Sequence, residues 1–502
     1  MAVTSYSTLN KGAHMFKPTA VAVSIFSLLG ACLAQAEGYK LYEQSVSSMA
    51  NAYAGRGAQI TDASLVYSNP AAISQLQGAQ LASGLNLIKA DTDYRNASAK
   101  SAGGLPVIGR SSGENSLLEA VPFVFYSDKL SDKFNYGVGF YVPFGLSSDY
   151  DDDWAGRYFA DETAIQVLAL QGSLSYQLNH DWALGLGLSV NRAAGTLSKF
   201  KDHSGLCETG TAINQLYQRD VYNAAYCQSH YEVNGNDIAP GYSLGLYGKV
   251  TPDLSLALVY HAQLKFKLEG DSEITNTPIT GANVQGSANF IVVNAKLPAI
   301  SKATGKLASS PLLTEQSKLN LTTPANLTLS LDHRLWADWS WQASLSWTGW
   351  SSFEHIEIVS QAATPSISLS TQLPENLAKT GYIGYIPEYW HDTLSAALGL
   401  THQYQPNLTL KTGLAFDENP IESGHKTARV PTTDRLWWTA GATVVLTPQW
   451  TLDLAYGYMW MKSMSIVERE YNANDVALYK SGLTVNYKNH AQVLGAQLNY
   501  RF

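Results

Sequence analysis

A membrane-spanning, antiparallel, all-β barrel of about fourteen strands is the fold class this sequence predicts, and three observations predict it. Long segments alternate apolar with small or polar residues at period two. Short and long connections alternate between those segments. An export segment precedes them all.

The export segment comes first along the chain. Thr19 to Ala36 is the one continuous apolar stretch; it follows Lys11 and Lys17 and ends in the small-x-small triplet Ala34-Gln35-Ala36. Residues 1–36 therefore read as a signal peptide with Glu37 as mature N-terminus, and Met15 is a second possible start. Leu29-Gly30-Ala31-Cys32 also resembles a lipoprotein box, so lipidation of Cys32 stands as the alternative to its removal. Without Cys32, Cys207 and Cys227 remain, in one polar, Tyr-rich loop. Export implies oxidising surroundings, so a Cys207–Cys227 disulfide is expected, with two free thiols as the alternative. Closing such a loop contributes roughly 3 kcal/mol in the chain-entropy view. His203 and His230 lie near these cysteines, too few ligands for a metal site, and no cofactor is called for.

Of 502 residues only 15% are charged, and the net charge of −8 comes without any Lys/Arg-rich block, which removes nucleic acid as a partner class. Residues 37–78 are small and polar, lack aromatic alternation, and do not read as barrel. About fourteen strands enclose a lumen too wide for their own side chains to fill, so this segment is expected to fold inward as a plug, a disordered tail being the other reading. The barrel is assigned residues 79–502.

Within it, Trp182, Leu184, Leu186, Leu188 and Val190 alternate with Ala183, Gly185, Gly187, Ser189 and Asn191. Leu254 to Leu268 places Leu256, Leu258, Tyr260, Leu264 and Phe266 on one face, and Trp450 to Trp460 repeats the pattern. These runs match the ~9–11 residues a tilted strand needs to cross hydrocarbon. There an unpaired backbone group costs several kcal/mol, so the sheet must close. Short turns fall at Asn179-His180, Thr251-Pro252-Asp253, Gln405-Pro406-Asn407 and Thr447-Pro448-Gln449. Long links are expected near 95–116, 200–239, 271–318, 360–388, 418–433 and 465–485. Trp182, Trp341 and Trp450 follow short turns, as a periplasmic aromatic girdle would. The last strand ends on Phe502, the kind of signal that outer-membrane assembly machinery reads. One chain suffices to close the barrel, so a monomer is expected.

Glu37-Gly38-Tyr39-Lys40-Leu41-Tyr42-Glu43, Asn51-Ala52-Tyr53-Ala54-Gly55 and Ser68-Asn69-Pro70-Ala71 together resemble the N-terminal hatch of the FadL family, long-chain fatty acid and hydrocarbon transporters of Gram-negative outer membranes. Tyr141-Val142-Pro143-Phe144-Gly145-Leu146 with Trp154-Ala155-Gly156-Arg157-Tyr158 resembles the family's third strand and its following loop. Trp347 to Phe353 resembles its mid-barrel Trp-Ser-x-Phe motif, and Gly413 to Trp437 matches a further run.

The resemblance implies capture of an apolar ligand on extracellular loops, passage to a pocket beside Tyr39, Leu41 and Tyr42, and sideways release into the bilayer below the lipopolysaccharide, at a kink in the third strand. Pro143 supports such a kink independently, since proline removes a ladder donor, with Phe144 and Gly145 completing it; the other reading is that Pro143 ends the strand at its extracellular rim. The resemblance places Asn69, Pro70 and Ala71 against that kink as a prop or gate. It also assigns Lys199 to a ligand carboxylate, a solvated rim lysine being the other reading; Glu357 stands where a second basic residue is expected, which weakens the case for a fatty acid over a neutral hydrocarbon. Leu206, Leu216, Tyr217, Tyr222 and Tyr226 are candidates for the capture patch. No Gly-x-Ser-x-Gly, His-Glu-x-x-His or calcium loop occurs, so an enzyme is not expected. An adhesin and a general porin are the rival classes; the first leaves the plug unexplained, and the second has no use for one.

Overall fold

The computed structural model describes residues 38–100, 104, 106–202, 228–275, 313–363, 381–471, 476–477 and 481–502. The expected signal peptide, the two cysteines and the capture-loop residues Leu206, Leu216, Tyr217, Tyr222 and Tyr226 lie outside the described residues.

Among the described residues, nineteen strand segments form one antiparallel sheet, closed by pairing of the first with the last. They begin with β1 (Gln80–Lys100), β2 (Gly113–Lys129), β3 (Phe134–Asp149), β4 (Glu162–Gln177), β5 (Trp182–Asp202) and β6 (Gln228–Thr251). Next come β7 (Leu254–His261), β8 (Leu264–Thr275), β9 (Leu313–Thr323), β10 (Asn326–Arg334), β11 (Trp339–Thr348) and β12 (His355–Ser360). The rest are β13 (Tyr382–Pro387), β14 (Thr393–Gln405), β15 (Leu408–Asp417), β16 (Arg435–Val445), β17 (Trp450–Met461), β18 (Met464–Glu468) and β19 (Gly482–Arg501). Taking β7–β8, β9–β10, β11–β12, β13–β14 and β17–β18 as single interrupted crossings, the barrel has fourteen.

The short turns stand where expected, between β4 and β5, β6 and β7, β14 and β15, and β16 and β17. The long connections are shorter than the sequence suggests, because strands run past the hydrocarbon. β6 begins at Gln228, not after residue 239, and the stretch from 360 to 388 contains β13. These upper ends read as loops because their outward side chains are polar.

One predicted face divides in two. Leu258 of β7 is exposed on the outer wall, while Ala257 and Val259 are buried. Beyond the break at Ala262-Gln263 the apolar residues Leu264, Phe266 and Leu268 turn inward and are buried, and Lys265 and Lys267 point out. Across the break the register against β6 moves by one residue, from Ser243↔His261 to Asn236↔Glu269, and a one-residue shift inverts the sidedness of everything after it.

Residues from Gly38 to Leu76 add no strand to the sheet. They form two short helices, α1 (Val46–Met49) and α2 (Leu65–Ser68), and a 3-10 turn at Ala72–Gln75, almost all of it buried. The Ser45 hydroxyl caps α1 by accepting from Ser48 N–H. Hydrogen bonds tie the segment to inward side chains of strands spread round the wall. Asn86 of β1 donates to the Glu43 carbonyl, Gln171 of β4 to Val66, Lys411 of β15 to Ser47 and Thr439 of β16 to Ala50, while Gly55 N–H donates to Ser344 of β11.

Candidate functional site: a wall seam and an apolar chamber

Around β2 and β3 the ladder is incomplete. β2 pairs with β1 along nearly its whole length, from Lys89↔Leu118 down to Gln80↔Ser127 and up to Tyr94↔Gly113. With β3 it pairs only from Lys129↔Asn135 to Val124↔Phe140, so Gly113–Phe123 and Tyr141–Asp149 face one another without a ladder. On its other edge β3 follows β4, with a register shift between Tyr141 and Phe144 that leaves Val142 and Pro143 unpaired. The missing proline N–H is the local reason.

The leading segment occupies the inner side of this bulge. Leu41 N–H donates to the Pro143 carbonyl (2.9 Å), Gly145 N–H donates to the Tyr39 carbonyl (2.7 Å), and the Gln44 amide donates to the Val142 carbonyl (2.9 Å). A cleft of about 420 Å³ opens between the separated strands, lined by Asn115 and Leu117 on one side and Ser147 and Ser148 on the other. Asp91 also lines it, accepting from Ser116 (2.5 Å) and lying 3.3 Å from His490.

Direct backbone hydrogen bonds to the bulge come from Tyr39 and Leu41, while the turn of Asn69, Pro70 and Ala71 bonds to other parts of the wall and of the leading segment. The Asn69 amide donates to the Gly57 and Leu246 carbonyls, and Ser175 donates to the Ala71 carbonyl. The turn fits β5 and β6 because Gly185 and Gly245 face it. A Cβ at Gly185 would meet Ala71 N at 2.1 Å, and one at Gly245 would meet Asn69 Oδ1 at 2.2 Å. Proline's fixed φ and the small alanine let the chain approach the wall this closely.

Above the bulge lies an apolar chamber. Tyr39 packs its ring against Trp350 (4.8 Å between centroids), Phe353 (5.5 Å), Trp390 (5.9 Å) and Phe144 (5.9 Å), and its hydroxyl donates to the Thr322 carbonyl. The cluster continues through Ile165, Leu197, Val233, Leu268, Leu321 and Ile356, which line a cavity. The predicted trio beside the N-terminus divides: Tyr39 enters this chamber, Leu41 joins the core beneath the bulge, and Tyr42 faces a separate cavity.

Two buried ionisable groups sit around this region, Arg429 in the β15–β16 connection and Glu388 at the β13–β14 break. Arg429 donates to the Glu162 and Ser198 carbonyls and to the Thr163 hydroxyl, and its Nε has no acceptor among the described residues. Burial lowers its pKa. The Glu388 carboxylate accepts from the Trp390 indole (2.8 Å), and burial pushes its pKa up to about 8. Neither residue stands out in the sequence, since neither lies in a motif with catalytic or ligand spacing.

Lys199 is placed at the upper end of β5, with its ammonium 2.6 Å from a Glu470 carboxylate oxygen and both side chains 27% exposed. Glu357 faces Tyr382, whose hydroxyl donates to it. Among the described residues no group of three or more His, Cys, Asp or Glu is placed to hold a metal.

Comparison with known proteins agrees with this geometry. Residues 27–502 match the family described as outer membrane protein transport protein (OMPP1/FadL/TodX). Similar proteins include the long-chain fatty acid transport protein of Escherichia coli strain K12, 26% identical over 97% of this chain and 99% of that one. Outer membrane protein P1 of Haemophilus influenzae is 26% identical over 95% of this chain and 97% of that one. Among solved structures, a Pseudomonas aeruginosa FadL homologue superposes with a TM-score of 0.75 at 22% identity, covering 93% of this chain and 100% of the other. The Pseudomonas putida toluene transporter TodX gives 0.62 at 17% identity, covering 92% and 99%. A closed fourteen-crossing barrel and a match over nearly the whole chain lead to one assignment: the chain belongs to the OMPP1/FadL/TodX family of outer-membrane transport proteins.

Proposed function

We propose that this protein takes up long-chain fatty acids or other hydrophobic compounds across the outer membrane passively, releasing them sideways through the β2–β3 seam. The observation that carries this reading is the ladder that stops at Val124↔Phe140 while β1–β2 and β3–β4 pairing continues. Residues 37–78 act as a hatch that denies the ligand an axial aqueous path, which disfavours a general porin. Asn69, Pro70 and Ala71 anchor the hatch to β4–β6, and Tyr39 and Leu41 gate the bulge at Pro143, Phe144 and Gly145.

Energetics favour a lateral route. Burying a sixteen-carbon chain contributes about 12 kcal/mol gross at ~0.8 kcal/mol per methylene. An aqueous exit forfeits that, whereas a side exit into lipid retains it, and no chemical step or energy source is needed. The relatives' names cover both an acid and an aromatic hydrocarbon as cargo. In this reading the capture loop carries Leu206, Leu216, Tyr217, Tyr222 and Tyr226, the Cys207–Cys227 disulfide staples it, and Lys199 meets a carboxylate by exchanging Glu470 for the ligand.

Deleting Pro143 tests the exit. The β3–β4 register shifts by one residue across the bulge, so removing one residue restores it. Oleate uptake by cells lacking their own transporter should be abolished, while heat-modifiable gel mobility shows a folded barrel; wild-type uptake would sink lateral release. A neutral hydrocarbon is the second reading, favoured by the existing Lys199–Glu470 pair. Lys199→Ala should weaken oleate uptake and leave alkane uptake nearly intact; equal loss of both would remove the head-group role.

A further inference from the structure

Tyr42 lines a separate cavity between the leading segment and strands β11, β14, β15 and β16. Ala52, Ala396, Ala397, Ala415 and Trp437 give it an apolar wall, and none of its lining residues belongs to the chamber above the bulge. Arg56 projects into it and is only 7% exposed. Its guanidinium carbon lies 5.0 Å from the centre of the Tyr42 ring. Among the described residues no carboxylate stands within ion-pair distance of Arg56, and no acceptor takes a hydrogen bond from it. The Tyr53 hydroxyl, on the same cavity, is likewise buried without a hydrogen-bond partner.

The local backbone presents these two groups at a conformational cost. Ala52 (φ 56°), Tyr53 (φ 60°) and Gly55 (φ 67°) all adopt left-handed geometry, which alanine and tyrosine rarely do. Gly55 is required as well, since a Cβ there would meet Gln342 Cβ and the Leu331 carbonyl at 2.8 Å. A guanidinium withdrawn from water with no ion-pair partner within reach among the described residues is unfavourable, so an anion reaching it would be stabilised. Lys40 strengthens the field, with its ammonium 4.6 Å from the centre of the Tyr42 ring. Asp417 also lines the cavity, accepting from the Trp437 indole at 2.8 Å, and its charge confines an incoming carboxylate to the Arg56 and Tyr53 side.

We infer that this cavity is a second ligand site, taking the head group and adjoining chain of an amphipathic carboxylate. The carboxylate sits on Arg56, the Tyr53 hydroxyl donates to it, and the chain lies along Ala396, Ala397 and Trp437. The inference rests on the transport of hydrophobic compounds proposed above. It adds an acid-selective step on the hatch, separate from Lys199.

The test uses full-length protein in neutral detergent, with dodecanoate and dodecanol as probes of equal chain length. Arg56→Gln should weaken dodecanoate binding at least tenfold and leave dodecanol unchanged, and Arg56→Lys should restore most of the loss. Unchanged dodecanoate affinity, or equal loss for both probes, overturns the site. Wild type that binds dodecanol but not dodecanoate would instead sink the fatty-acid reading. A crystal of wild type soaked with bromododecanoate needs no variant: a carboxylate on Arg56 supports the site, and bromine signal confined to the chamber around Tyr39 overturns it.

Discussion

The lower and upper halves of this barrel are built on opposite polarity. Below the strand breaks, Leu184, Leu186, Leu188 and Val190 of β5 are exposed on the outer wall, and Ala183 and Gly187 face in. Above the breaks, Leu264, Phe266, Leu268, Leu319, Leu321, Ile356 and Ile358 are buried inside, and Lys265, Lys267 and Lys318 are outside. The lower half meets lipid and must be apolar outward; the upper half meets water and is free to turn its apolar residues to the lumen. A ligand arriving from outside therefore finds grease within the upper barrel and grease around the lower one. The seam at β2–β3 lies beside the bulge, where the proposed lateral release would lead from one to the other.

The largest expected effect lies in the lower wall. Leu188, 60% exposed, sits several residues into β5 from the girdle residue Trp182. Leu188→Arg should cost ~2–4 kcal/mol near the bilayer midplane. Lys267→Leu, on the outer face of the upper half, should change stability by under about 0.5 kcal/mol, as surface substitutions do. Urea unfolding in lipid vesicles measures both. Similar costs for the two would break the division into lipid-facing and water-facing halves.

A smaller effect is expected inside the upper chamber. Leu321→Asp puts a carboxylate into the cavity wall, where an unpaired charge is disfavoured and repels apolar cargo. Binding of an uncharged probe such as dodecane should weaken at least about tenfold, equivalent to ~1.4 kcal/mol. Unaltered binding would show that the chamber does not hold the ligand.

The difference between the halves also explains what was readable from sequence. The lower wall was legible because Trp182 to Val190 carries a period-two pattern longer than a soluble strand needs. The bulge was legible because Pro143 lacks an N–H wherever it stands. The inverted half was not, because Leu264, Phe266 and Leu268 continue the alternation of Leu256, Leu258 and Tyr260, and no periodicity says which face is out. Only the break at Ala262-Gln263, a tertiary fact, reverses it. Charge pairing was hidden for a similar reason. Lys199 could be named, but Glu470 lies 271 residues further on, and the isolation of Arg56 depends on which strands surround it.

The mildest test concerns how the upper chamber stays neutral. Burial raises the Glu388 pKa to about 8, so at neutral pH the folded protein holds this group largely protonated, while the unfolded chain ionises it in the ordinary carboxylate range. The folded state thus binds more protons than the unfolded one between those two values. Stability from this source is fully present below the ordinary carboxylate pKa and is lost as pH rises through about 8. Glu43 in the leading segment, pushed up to about 7 mainly by burial, contributes in the same direction. The urea midpoint of wild type should therefore fall between pH 5 and pH 8.5. Glu388→Gln keeps an acceptor for the Trp390 indole and has no proton to lose, so its slope should be shallower, with the Glu43 part remaining. Identical slopes for the two proteins would mean that Glu388 is already ionised when folded, and that the upper chamber tolerates a charge the lower wall does not.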